Sequence, residues 1–149
     1  SRLVGVIRTI PQSPLEPPVL IHCELWDLAK WREMAGEFEE LATQAVLPEY
    51  EHRFVGMRLI RAAYTDGRVR GVKAMAVITE PENVEKLNTE YSFACEQIGE
   101  VGFLGWACAP FIHVFDDVER KMAAERPDLY AILARNVPPH LLAAPLPEA

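Results

Sequence analysis

Two histidines and one glutamate carry the first candidate chemistry in this sequence. His22 and His113 are imidazoles, whose ordinary pKa of about 6.5 lets them exchange protons near neutrality. Glu24, two residues after His22, would share its side of an extended segment and would orient an imidazole or act as a base. Arg58 and Lys73 would hold an anionic substrate group, the arginine through paired hydrogen bonds and the lysine as a point charge. Trp26, Tyr64 and Phe111 offer rings for stacking against an aromatic ligand. Each has a plainer alternative: a hydrogen-bonded structural histidine, a cross-strand ion pair, or an aromatic ring that only buries area.

Weaker signals are set aside. Glu49 and His52 have the ExxH spacing of carboxylate-bridged metal helices, but no second copy occurs and Pro48 precedes them. His22 and Cys23 would point to opposite faces of a strand, so no bound metal is expected. Gly99, Gly102 and Gly105 are not a dinucleotide fingerprint, and the backbone freedom of a turn accounts for them. Cys108 would be a nucleophile only beside a base and otherwise is a buried thiol. No motif calls for a cofactor.

Composition narrows the classes. With 15 basic and 22 acidic residues the net charge is −7, which argues against an extended nucleic-acid surface. Half of the 149 residues are apolar, enough for one core, and no apolar run approaches the roughly 20 residues that cross a bilayer. Three scattered cysteines fit a reducing compartment, so a cytoplasmic protein is expected. Prolines divide the chain into a single α+β domain over 1–137, with a Pro-rich linker at 11–18, and a Pro-rich tail over 138–149.

The elements that must position these residues follow from periodicity. Residues 3–10 read as an accessory strand, and 19–26 as a strand carrying His22, Glu24 and Trp26 on one face. Asp27 caps a helix whose apolar positions run from Leu28 through Trp31, Ala35, Phe38 and Ala42 to about Leu47, with Lys30, Glu33, Glu37 and Glu40 on its solvated side. Residues 53–65 and 68–79 form a hairpin through Asp66-Gly67. Thr79 and Glu82 open a second helix, with Pro81 in its first turn, that ends near Gly99. Residues 111–115 are a buried strand, and short helices start at Asp116 or Asp117 and at Pro127.

The order strand, helix, strand, strand, helix, strand resembles the ferredoxin-like superfold: a βαββαβ antiparallel sheet, here with an extra N-terminal strand and C-terminal helices. That resemblance implies that the first and last strands of the unit are neighbours, bringing His22 and His113 together on the uncovered face. The expected function is binding of a small aromatic or acidic organic molecule there, with histidine acid–base chemistry if the protein is an enzyme. A homodimer through the same face or its rim is expected. The alternative is a noncatalytic interaction or regulatory module of a larger protein, which the Pro-rich ends favour.

Overall fold

A computed structural model describes residues 2–11 and 16–147. Residues 12–15, half of the Pro-rich linker expected at 11–18, therefore lie outside the described residues. The elements are β1 (Gly5–Ile10), α1 (Pro18–His22), α2 (Leu28–Glu33), β2 (Phe38–Val46), α3 (Val55–Val69), β3 (Ala74–Thr79), α4 (Pro81–Tyr91), β4 (Glu96–Gln97), β5 (Gly102–Phe103), β6 (Ala107–Val114), α5 (Phe115–Glu125) and α6 (Pro127–Ala134). A 3₁₀ turn over Pro48–Arg53 leads into α3. The sheet order is β1-β2-β3-β6-β4, with β5 also paired to β6. It is mixed: β2 and β3 run parallel, whereas β1–β2, β3–β6 and β4–β6 are antiparallel.

This overturns the ferredoxin-like, wholly antiparallel sheet expected from the sequence. The expected 53–79 hairpin is a helix followed by a strand, because Met57, Ile60, Ala63, Tyr64 and Gly67 recur at helical intervals on one buried or half-buried face. Gly67 sits inside that helix rather than in a turn. A Cβ there would stand 3.2 Å from the Phe115 ring, so its small size serves close packing. Joining parallel strands requires such a crossover, and α3 supplies it.

The long first helix is corrected as well. It stops at Glu33, and the chain re-emerges as β2, whose side chains alternate between the two sheet faces. Glu40, expected on the solvated side of that helix, and its neighbour Glu39 are both buried in the strand. Each is paired: Glu39 receives both terminal nitrogens of Arg70, and Glu40 accepts the Val19 amide at 2.8 Å. The segment 19–26 is not a strand either. Pro18 occupies the first turn of α1, a five-residue helix that ends at His22.

Two cores flank the sheet. On one face α1 and α2 pack Val19, Leu20 and Trp31 onto Phe38, Ala74, Ala76 and Ile112. On the other, Tyr64, Met75, Phe93, Phe115, Met122, Tyr130 and Leu133 gather under α3, α5 and α6. The N-terminal strand, the start of α4 at Pro81, the buried strand through 111–114 and the two late helices correspond to the expected elements. Helix α4 ends at Tyr91 because Ser92 adopts a left-handed φ of 54°, well before Gly99.

Gly99 has a steric role. It bridges to Leu25, and a Cβ would lie 2.3 Å from the Glu24 carbonyl oxygen and 2.8 Å from Pro110. Since backbone cannot yield as a side-chain tip does, Gly99→Ala is expected to destabilise the protein by about 1–3 kcal/mol. Urea unfolding checks this; an unchanged midpoint would show that the loop relaxes freely.

Candidate functional site

The two parallel strands stay together only briefly. Their register pairs Phe38, Glu39, Glu40 and Leu41 with Ala74, Met75, Ala76 and Val77, and beyond Leu41 and Val77 they part. β2 continues to Val46 against β1, while the end of β3 follows β6, with Ile78 opposite Pro110 and Thr79 opposite Ala109. The sheet splits there into a V. A β-bulge on β2 sharpens the divergence, since Arg8 faces Thr43 and Thr9 faces Leu41, leaving Ala42 without a register partner on either side.

The opening is a cleft of about 1090 Å³. Its walls are Leu41–Gln44 of β2 and Val77–Thr79 of β3, roofed by Met57 and Ile60 of α3 and by Val84 and Leu87 of α4. Phe93, Cys95 and His113 line its deep end, and Glu51, Glu80 and Lys86 contribute charges. Lys86 has no ion-pair partner among the described residues.

The first turn of α3 also faces the cleft, through Phe54, Gly56 and Met57. Phe54 stands at the N-cap with a left-handed φ of 56° and, among the described residues, no side chain accepts from the first-turn amides, so none of them caps the positive end of this 15-residue helix. Gly56 keeps that turn low: a Cβ would come 2.7 Å from the Gln44 side-chain nitrogen.

The eight residues selected from sequence are not gathered into one site. Among them only His113 lines the cleft. It is buried, with ring centroids 5.6 Å from Phe93 and 6.0 Å from Phe115, and burial lowers its pKa to about 4. His22 is exposed at the end of α1, on the opposite face of the sheet, where it lies near the buried Glu40. The expected juxtaposition of the two imidazoles is thereby corrected: α1 is a helix laid on the sheet, not a strand within it.

Glu24 is exposed in the loop after α1, and its carbonyl accepts the Glu100 amide. Trp26 is largely exposed and donates its indole N–H to Glu100. Lys73 pairs with Glu37 at 2.7 Å, and Arg58 lies on a shallow groove of α3 with Arg61 and Asn136. Tyr64 is buried and donates to Glu119 at 2.6 Å. Phe111 packs beneath Val84 of α4.

No group of three or more potential ligands that could hold a metal occurs among the described residues, and the His52 side chain lies outside them. Burial raises the thiol of Cys23 to about 11, assisted by Cys108 and Glu40, and that of Cys95 to about 12, so both stay protonated at neutral pH. Sequence reading missed Gly56, Lys86 and the bulge at Ala42. The helical spacing of Met57, Ile60, Tyr64 and Gly67 was the available signal.

No family model matches the sequence, and no curated protein matches it. Solved structures do match the fold. FeeM, an N-acyl amino acid synthase from uncultured soil microbes, superposes with a TM-score of 0.62 at 13% identity, over 80% of this chain and 65% of that one. TofI, solved in a ternary complex with an inhibitor and MTA, gives 0.61 at 18% identity, over 93% and 65%. BjaI, a CoA-dependent acyl-homoserine lactone synthase solved with SAM and isopentyl-CoA, gives 0.57 at 14%, over 90% and 58%. At these identities the likeness is one of fold, and this chain spans 58–65% of the length of these three. No described helix is long and apolar enough to cross a membrane.

Proposed function

We propose that this protein binds an acyl thioester of coenzyme A in the cleft between β2 and β3 and transfers the acyl group to an amine. The observation that carries this reading is the split sheet, whose free strand edges face a cleft at the uncapped end of α3. The fold shared with an N-acyl amino acid synthase and a CoA-dependent acyl-homoserine lactone synthase supports it.

Each part of such a substrate has a counterpart here. The amides of the thioester arm would pair with the free edges of β2 and β3, as an added strand pairs with a sheet edge. The diphosphate would meet the first-turn amides of α3 and the unpaired Lys86, a use of helix N-termini that rests on aligned N–H groups and dipole. At the bulge, Ala42 supplies backbone groups without strand partners, placed to polarise the thioester carbonyl. The amine nitrogen attacks that carbon, the C–S bond breaks, and the thiolate takes up the proton that the amine loses. Glu51 and Glu80 line the cleft, and a carboxylate there would take the proton that an ammonium acceptor must lose before its nitrogen can attack.

Gly56→Glu tests the assignment. A Cβ at this position meets only the movable tip of Gln44, and the glutamate carboxylate would occupy the helix end in place of diphosphate. Affinity for dodecanoyl-CoA, measured by calorimetry, is expected to fall at least about tenfold, with Gly56→Ala close to wild type. Failure of the unmodified protein to bind the thioester, or equal binding by Gly56→Glu, would sink the reading.

A further inference from the structure

The deep end of the cleft has one chemically distinct residue. Met57, Ile60, Leu87 and Phe93 make it apolar, yet His113 contributes an imidazole to the lining. Its Nδ1 is the single buried side-chain nitrogen or oxygen without a hydrogen-bond partner among the described residues. The surrounding network satisfies its neighbours: Tyr64 reaches Glu119, Arg68 reaches Asp116 and Glu119, and Tyr130 reaches the Ala144 carbonyl. A buried polar atom left unmatched is costly, and methylene groups cannot match it.

From this we infer that the cleft selects acyl groups carrying a hydrogen-bonding oxygen, a hydroxyl or a carbonyl, part-way along the chain, and that His113 recognises it. The inference rests on the acyl-thioester reading above. Register fixes the depth. His113 lies opposite Met75, two residues before the Val77 position at which the strands part, so it sits roughly 7 Å further along the sheet by the rise of a strand. An oxygen reaching it belongs to the middle of a chain whose thioester lies at the split, not to the carbons beside the thioester.

A neutral imidazole has one N–H and one lone pair, so it pairs with a hydroxyl in either tautomer and with a carbonyl in one. The rings of Phe93 and Phe115 hold it in place, which favours recognition of a fixed position over general polarity. His113 is thus assigned a specificity role, away from the bond that changes.

The test compares dodecanoyl-CoA with mid-chain hydroxy and oxo derivatives of the same length, by calorimetry. Targets are the unmodified protein, His113→Phe, which keeps a ring without nitrogen, and His113→Leu. The unmodified protein is expected to prefer an oxygenated chain by about tenfold, and the phenylalanine variant to lose that preference and bind the plain chain at least as well. A hydroxyl preference without a carbonyl one would identify His113 as the acceptor; a preference for both would identify it as the donor. If leucine does not fold, phenylalanine decides. Equal binding of all chains by the unmodified protein, or a preference that survives in His113→Phe, overturns the inference alone. Failure of every thioester to bind overturns the acyl-thioester reading and this one with it.

Discussion

Glu119→Ala is expected to destabilise the protein by about 3–5 kcal/mol, a value typical of breaking a buried ionic group from one side. Glu119 is fully buried on α5 and joins three parts of the chain. It accepts from the Tyr64 hydroxyl and the Arg68 Nε at 2.6 Å each, both from α3, and from the Ala143 amide in the C-terminal segment. Burial, with the hydrogen bond to Glu119 behind it, pushes the Tyr64 phenol far above its ordinary range, so it remains a donor at all ordinary pH. Alanine would leave this phenol without its acceptor and Arg68, 9% exposed, with Asp116 alone. Glu119→Gln, which keeps an acceptor oxygen but not the charge, should lose less. Urea unfolding of both variants measures the difference, and a loss below about 1 kcal/mol for alanine would show that solvent reaches the gap and replaces the carboxylate.

The second large effect is acid sensitivity traceable to His113. Its pKa is lowered to about 4 by burial, from an ordinary value of 6.5. Between those values the unfolded chain binds a proton that the folded one refuses, so stability must fall as pH drops from about 6.5 to 4. A separation of this size corresponds to about 3 kcal/mol, fully present as stability above pH 6.5. His113→Phe removes the proton-binding group, so the stability of the unmodified protein relative to this variant should decline by that amount across the window. Comparing the two proteins cancels the carboxylates that titrate in the same range, among them Glu40, whose pKa burial raises while the Val19 amide and His22 oppose. A difference that stays flat from pH 7 to 4 would mean that the folded state admits the charged ring.

Local signals were legible where one force dominated. Pro81 and Pro127 each open a helix, and the apolar run ending in Phe111-Ile112-His113-Val114 is a strand buried on both faces. Where side-chain patterns served two periods, tertiary contacts decided. Glu40 reads as part of a charged helix surface because the partner that makes it tolerable in a sheet, the Val19 amide, lies 21 residues away, just as Arg70 lies 31 residues from the neighbouring Glu39. Asp66-Gly67 favours a hairpin in isolation, yet the packing of Phe115 against Gly67 keeps α3 helical through it. The cleft could not be read at all, since it depends on where two parallel strands stop pairing. His113 was picked out as an ionisable residue within a greasy strand, but its partner His22 followed α1 to the other face.

Helix α3 divides its duties by position. Its first turns border the cleft, while Tyr64 and Arg68, two turns on, are moored to α5 through Glu119. A rod of 15 residues, roughly 22 Å long, thus keeps its anchorage and its cleft-bordering surface at opposite ends. Residues near Met57 can therefore vary while the mooring holds, which makes this end of the rod the natural place to begin re-engineering.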